Sequence, residues 1–579
     1  MGVVLCPPLG HEMLCTQRAY RHLAVRLASL GFQSLRFDYH GTGDSAGGDL
    51  DDDRVPAWLA TIGDAIDFLR NAGVGRIALF GTRMGATLAT AVAAERGDVD
   101  ALVLLAPSVA GRAYVREIRA LHGVRDRGER RPTFRGQREG DEEAVGFVFR
   151  RETIEALGKI DLRTLTKKPA ARAMIVPRDD LPGGEAHIAD RLRALGTEVD
   201  VVHVAGYAAL ATDDPYVAEV PVAIWDSVAN WMHAVSPPRP CAIVQRLSAG
   251  ATRVNIGTDV IESTFSYGAN ARLFAILSEP VSGPKDIAVV VPNTGANSRV
   301  GPNRFSVTLA RRLASRGYTV LRVDLGGIGD SPAADGVVEN ELFAARSIDD
   351  VRAAIDALAA RGYQRFVTLG LCAGAYMSFH ACLADERVVG VGLINPPAFE
   401  WRPGRKVERL PDKRAGAFRS TRYYKQRALR VDTWKRLAHG DINARGIAHA
   451  LGDRLRDRAT TSIKRTALLI GQGNWVMSDL ALKFAALAQR DAQVLMLFNG
   501  EEPMLDELEH HIGSMMGWLE NRGLSLEIID DTDHIFAPVW SQERALDLLT
   551  EFVDRVARMG RPRDGSRGLG TVHEHDRVR

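Results

Sequence analysis

The sequence predicts an α/β fold built twice: two tandem domains, each a mostly parallel sheet flanked by helices, with a basic helical cap in the second. Three observations predict it. Phe80-Gly81-Thr82-Arg83-Met84-Gly85-Ala86 and Leu369-Gly370-Leu371-Cys372-Ala373-Gly374-Ala375 are each an apolar strand entering a G-x-X-x-G turn and then a helix. Upstream of each, a strand runs into D-x-x-G-x-G-D-S, at Asp38 to Ser45 and at Asp324 to Ser331. The strands and helices around these motifs recur in one order at a nearly constant offset, which is an internal duplication.

The elements follow in register. Each half opens on an apolar strand ending in proline, Val3-Val4-Leu5-Cys6-Pro7 and Val289-Val290-Val291-Pro292. A helical stretch comes next (Leu23 to Gly31; Leu309 to Gly317), then the strand into the glycine turn, then the elbow. The second half carries two earlier candidate strands, Val260 to Tyr267 and Ala271 to Leu277, that the first lacks. Either the first half has lost this hairpin or translation starts upstream. The divisions expected are 1–235, a linker 236–259, 260–557 with a cap at about 396–465, and a disordered tail 558–579 rich in Gly, Arg and Asp. The glycine turns bring a dinucleotide site to mind, but a lone G-x-G is a weak signal for one.

With 579 residues, two domains is the natural count. No run of eighteen apolar residues points to a membrane span, and no signal peptide is visible. Five scattered cysteines form neither a disulfide framework nor a C-x-x-C metal pair, so a cytoplasmic protein without metal or cofactor is expected. The net charge of +2 hides a local excess, because Arg402 to Arg465 holds 19 Lys and Arg against 6 Asp and Glu. Trp401, Tyr423, Tyr424 and Trp434 are interleaved with it. Such a run is a solvated helical surface or a lid that steers an anionic substrate, such as a phosphopantetheine thioester or an acidic saccharide. No nucleic-acid motif accompanies it.

On these motifs both halves resemble the α/β-hydrolase superfamily, in the branch of serine-aminopeptidase-like hydrolases, over most of 1–235 and 260–557. The first half, with Pro7-Pro8-Leu9-Gly10-His11-Glu12-Met13 and G-x-R-x-G, is similar to hydrolase-like proteins associated with exosortase and exopolysaccharide systems, where an elbow arginine also occurs. The resemblance implies chemistry at the residue in the middle of the elbow, followed along the chain by an acid and a histidine. In the second half these are Cys372, an acid in Asn499-Gly500-Glu501-Glu502-Pro503, and His534 after the strand Leu526-Glu527-Ile528-Ile529. Glu502 matches the position that relatives fill with Asp, with Glu501 and Asp506 as substitutes. Ala373 and the Thr294-Gly295 turn would supply the oxyanion donors. Cysteine at the elbow also occurs in dienelactone hydrolases and polyhydroxyalkanoate synthases, a likeness of one residue.

A buried cysteine is more often a small core residue than a nucleophile, but at an elbow centre the catalytic role is the expected one. The first half lacks the set. Arg83 stands at its elbow, Gly206 or Tyr207 at the histidine position, and His203 on the last strand itself. Asp179 and Asp180 could fill the acid position with no base to orient. Arg83 itself would bind an anion or close an internal salt bridge. Three functions follow: a cysteine-dependent acyl hydrolase (esterase or thioesterase) beside a non-catalytic domain, an acyltransferase in polysaccharide or polymer modification, or a scaffold without activity. The partner expected is a small ester or thioester, anionic or carrier-bound, with no nucleic acid and no membrane span.

Overall fold

The computed structural model describes residues 1–125, 132–212, 215–237, 253–401, 422 and 478–559. In the first half, β1 (Gly2–Cys6), β2 (Gln33–Arg36), β3 (Ile77–Thr82), β4 (Ala101–Leu105), β7 (Arg172–Val176) and β8 (Glu198–Val201) form one sheet in the order β2-β1-β3-β4-β7-β8. All its pairings are parallel. A small antiparallel hairpin, β5 (Glu142–Ala144) and β6 (Phe147–Phe149), lies in the β4–β7 connection.

Parallel strands covered by helices on both faces read as continuous apolar runs, and β1, β3 and β4 do. Their alternation sorts two cores. Val4, Leu79, Leu102 and Leu104 join Trp58 on one face, and Val3, Leu5, Phe80 and Val103 join Tyr20 and Trp225 on the other. Each such buried side chain contributes about 1.5–3 kcal/mol.

The second half repeats the plan in a nine-stranded sheet. Its strands are β9 (Arg253–Ile256), β10 (Val260–Tyr267), β11 (Leu273–Pro280), β12 (Ile287–Val291), β13 (Thr319–Val323), β14 (Arg365–Leu371), β15 (Val388–Ile394), β16 (Gln493–Asn499) and β17 (Leu524–Ile529). Their order is β17-β16-β15-β14-β12-β13-β11-β10-β9. β12 to β17 pair in parallel, and β9 to β11 add an antiparallel edge on β13. β9 falls within the stretch read from sequence as linker. Among the described residues the first sheet has no counterpart of this edge.

Two readings need correction or fall outside. His203 is not on a strand: β8 ends at Val201, where pairing with β7 stops at Ile175, and His203 lies beyond it. Almost all of the expected cap beyond Trp401, with Tyr423, Tyr424 and Trp434, lies outside the described residues, as does the tail from 560.

The glycine turns are built alike in both halves. A Cβ on Gly43 would lie 2.1 Å from the Asp38 carboxylate, and one on Gly329 2.3 Å from that of Asp324, both at positive φ. Asp38 accepts from the Asp44 N–H at 2.9 Å, and Asp324 from the Asp330 N–H at 2.9 Å. The halves differ in what else reaches the acid. Asn293 and Arg299 bond Asp324, whereas Pro8 follows the first proline of the earlier loop, where Asn293 follows Pro292. Burial, and then the charge of Asp44, push the Asp38 carboxyl up to about 6.

A carboxyl with a raised folded-state pKa contributes stability that is complete below its ordinary pKa and is lost as pH rises through the folded value. Asp38→Asn, which keeps an acceptor oxygen, should therefore raise the melting temperature above pH 6, with the gain shrinking as the pH falls toward 4. Circular-dichroism melts across that range test this; a gain that does not vary with pH would show another cause.

Candidate active site

Both elbows are the same strained turn. Cys372 sits at φ 57°, ψ −123° between β14 and the helix Ala373–Ala384, and Arg83 at φ 55°, ψ −125° between β3 and the helix Met84–Arg96. A non-glycine residue in this region costs about 1–3 kcal/mol and persists only where the surroundings hold it. The glycines hold it by letting the strand, helix and preceding loop close up. A Cβ on Gly370 would lie 2.0 Å from the Gly374 carbonyl oxygen, and one on Gly374 2.7 Å from that of Asn293. In the first half a Cβ on Gly85 would lie 2.2 Å from the Pro7 carbonyl oxygen. The Cys372 N–H donates to Ile394 O at 2.9 Å, pinning the turn to β15.

The expected partners converge in the second half. Glu502 is buried and its Oε2 lies 3.0 Å from His534 Nδ1. Of the three candidate acids, Glu502 is the one bonded to the imidazole; Glu501 donates its backbone N–H to Asn499 Oδ1, and Asp506 lies in the first turn of the helix Met504–Ile512. The other ring nitrogen, Nε2, is buried and makes no well-aligned hydrogen bond among the described residues, although the Cys372 sulfur is close enough to act on the ring. Burial opposes a charge on His534, but Glu502 and then Cys372 outweigh it and hold its pKa well above the ordinary imidazole value.

The Ala373 N–H, in the first turn of its helix, has no intrahelical acceptor to find. Facing the elbow is the loop after β12, in which Thr294 is buried and Gly295 takes φ 55°. Beside the elbow helix, Tyr376 packs edge-on against Phe343, and Trp401 stacks on Phe343 with centroids 4.4 Å apart.

Two asparagines that sequence reasoning missed brace this arrangement. Asn395 Nδ2 donates to the His534 carbonyl at 2.7 Å, and its Oδ1 accepts the Asn499 N–H at 2.8 Å. Asn499 Nδ2 donates to Glu502 Oε2 at 2.9 Å. Their signal was their place, each at the C-terminal end of an apolar strand in adjacent β15 and β16.

In the first half the same positions carry different contacts. Arg83 is buried and its guanidinium spans Glu12, at 2.8 Å, and Glu117. The internal salt bridge expected of Arg83 is present. Asp179 accepts the Gly206 and Ala208 N–H groups at 2.6 and 2.7 Å, so the acid position bonds the backbone where the second half has its histidine. Asp180 pairs with Arg178 at 2.6 Å. A cavity of about 220 Å³ remains over Arg83, lined also by Tyr114, Phe147 and Tyr207.

The two sheets, their elbows and the loops at the strand ends define an α/β hydrolase. The family profile of serine aminopeptidase, S33, matches residues 9–171 and 285–477, more than half of the chain, and the chain belongs to that family. No curated protein matches it. Among solved structures, Est1E from Butyrivibrio proteoclasticus with bound ferulic acid is 19% identical, covering 40% of this chain and 88% of its own, with a TM-score of 0.29. The proline iminopeptidase of Mycobacterium smegmatis is 14% identical over 54% of this chain and 99% of its own, TM-score 0.29. The esterase Pf2001 of Pyrococcus furiosus is 11% identical over 51% and 91%, TM-score 0.30. At these scores the similarities carry no argument about substrate. Among the described residues, no helix is long and apolar enough to cross a membrane.

Two outcomes follow from this geometry. Glu502→Gln should lower turnover of an activated ester less than His534→Ala does, and Asp506→Asn should leave it nearly unchanged; a larger loss in Asp506→Asn would reassign the acid. Arg83→Ser should lower the melting temperature, because half-buried Glu12 loses its paired cation while Glu117 is left with Arg178. It should create no second nucleophile, since among the described residues no base stands at the histidine position, held by Gly206 or Tyr207. In a Cys372→Ala background, stoichiometric labelling of residue 83 by a serine-directed probe would contradict this.

Proposed function

We propose that the second half is a cysteine-dependent acyl hydrolase, an esterase or thioesterase, and that the first half is a non-catalytic partner. The single observation that carries this reading is a buried imidazole bonded to Glu502 on one side with the elbow cysteine on the other. The divisions 1–235 and 260–557 belong to the same proposal.

In this reading His534 Nε2 takes the proton of the Cys372 thiol, and Glu502 steadies the imidazolium at Nδ1. The sulfur attacks the acyl carbon, forming a C–S bond and an oxyanion. The Ala373 N–H and the N–H groups of the Thr294-Gly295 turn bind that charge in this reading. Collapse breaks the bond to the leaving alkoxide or thiolate, which takes the proton from His534. Water, deprotonated by the same nitrogen, then cleaves the thioester to the acid and the free thiol. The raised pKa of His534 suits the first step, because Glu502 and the sulfur left charged both favour the proton on the ring.

Cys372→Ala should abolish turnover of activated esters and thioesters, and Cys372→Ser should keep a measurable fraction. Intact-mass analysis after a short exposure to an activated acyl donor should find one acyl group on the parent, lost in Cys372→Ala. Undiminished turnover in Cys372→Ala would end the proposal. Products with added alcohols or amines in place of the free acid would assign acyl transfer instead.

A further inference from the structure

The two D-x-x-G-x-G-D-S turns face one another across the join between the halves, and their charges are exchanged. Arg36, two residues before Asp38, pairs with Asp330 of the second turn at 2.5 Å. Arg322, two residues before Asp324, pairs with Asp44 of the first turn at 2.6 Å. This reciprocity is the signature of a two-fold interface, here between duplicated domains of one chain. The two sides have then diverged. Arg36–Asp330 is partly exposed, whereas Arg322 is fully buried and Asp44 largely so.

Asp44 reaches further than its pair. Its Oδ2 holds Arg299 Nη2 at 2.6 Å, while Arg299 Nη1 holds Asp324 at 2.6 Å and Asp330 at 2.9 Å. Asp324 Oδ1 in turn accepts the Arg299 N–H at 2.6 Å and Asn293 Nδ2 at 3.0 Å. Asn293 and Arg299 are the two ends of the loop that carries Thr294 and Gly295. Arg311 adds bonds from the second half to the Asp44 and Ser45 carbonyls, at 2.7 and 3.0 Å.

We propose that Asp44 of the first half is a positioning residue for the second half's active site, acting through Arg299 and Asp324 to hold the Asn293–Arg299 loop against Cys372. The inference rests on the reading of that loop as oxyanion donor. It gives the non-catalytic half a role in the chemistry of the other, because its carboxylate is the part of the anchor that the second half lacks. Without Asp44, Arg299 Nη2 has no anion and the loop's far end is held by one side only.

The test separates reactions that need the loop from one that does not. Acylation of Cys372 builds an oxyanion. Alkylation by iodoacetamide forms the C–S bond at a saturated carbon as iodide leaves, with no oxyanion. Asp44→Asn should lower kcat for an activated ester at least tenfold with KM little changed. Alkylation of Cys372, followed by peptide mass, should stay within about twofold of the parent. Asp44→Glu should recover part of kcat. Arg36→Gln, which breaks only the outer pair, should leave kcat within about twofold. Should Asp44→Asn not fold, Arg299→Lys keeps the charge but cannot bridge, and the same split between acylation and alkylation is expected.

An active parent whose folded Asp44→Asn or Arg299→Lys keeps its kcat overturns the positioning role alone. So does an equal loss in Arg36→Gln, or a parallel loss of alkylation, since each would mark general packing. A parent without Cys372-dependent turnover overturns the reading of the site and this proposal with it.

Discussion

The positive φ at residue 372 is the constraint on which the rest of the second domain's site depends. A side chain at the end of a buried parallel strand ordinarily points into a core. Turning the backbone through a left-handed residue lifts that side chain to the strand ends, where connecting loops meet and water can reach. The turn stores strain, and the structure opposes it with backbone packed on backbone: helix on strand at Gly370, and helix on the β12 loop at Gly374. One geometry thereby presents the thiol, opens a helix N-terminus beside it and sets the Thr294-Gly295 loop opposite. Strain at the elbow and juxtaposition of the loop and Cys372 are one fact.

The first half carries the same backbone with an arginine where the second has its cysteine. Arg83 occupies nearly the same dihedral angles as Cys372, yet the contacts around it have been reassigned to holding structure. The guanidinium ties Glu12 on the opening helix to Glu117 on the helix after β4. Asp179 caps the turn at Gly206 where Glu502 orients an imidazole. A cation held between two carboxylates is already neutralised, so little of its charge is left to attract a phosphate or carboxylate from solution.

Much of this was legible in the sequence because duplication doubles the signal. Motifs too short to mean much alone, G-x-X-x-G and D-x-x-G-x-G-D-S, gain force by recurring in order, and the glycines name the places where backbones touch. Cys372 and His534 were picked out by the chain order that the resemblance implies, and Glu502 by the position that relatives fill with Asp. Asn395 and Asn499 were not found, since an asparagine at a strand end is an ordinary turn residue until the adjacent strand shows what it braces. His203 was placed on a strand because β propensity continues past Val201, while the ladder that defines the strand stops with its partner β7. Arg299 and Asp44 were invisible for a stronger reason: their meaning lies between halves, and no periodicity along one chain reports a contact between residues so far apart.

The charges at that join raise the question of why they are buried at all. Arg322 is wholly inside, with Asp44, Glu262, Arg299, Arg311, Asp324 and Asp330 around it. Moving such groups from water costs several kcal/mol each, and an apolar contact of the same shape is often as stable. Stability is therefore a poor reason for the cluster. Orientation is a better one. An apolar interface tolerates sliding, whereas a guanidinium forked between carboxylates from two domains accepts one register, and misplacement leaves a buried charge unpaired. The two halves are thus held at a fixed angle by groups that also terminate the β12 loop. Whatever else varies in the first domain, the turn that supplies Asp44 is the part these charges hold in place.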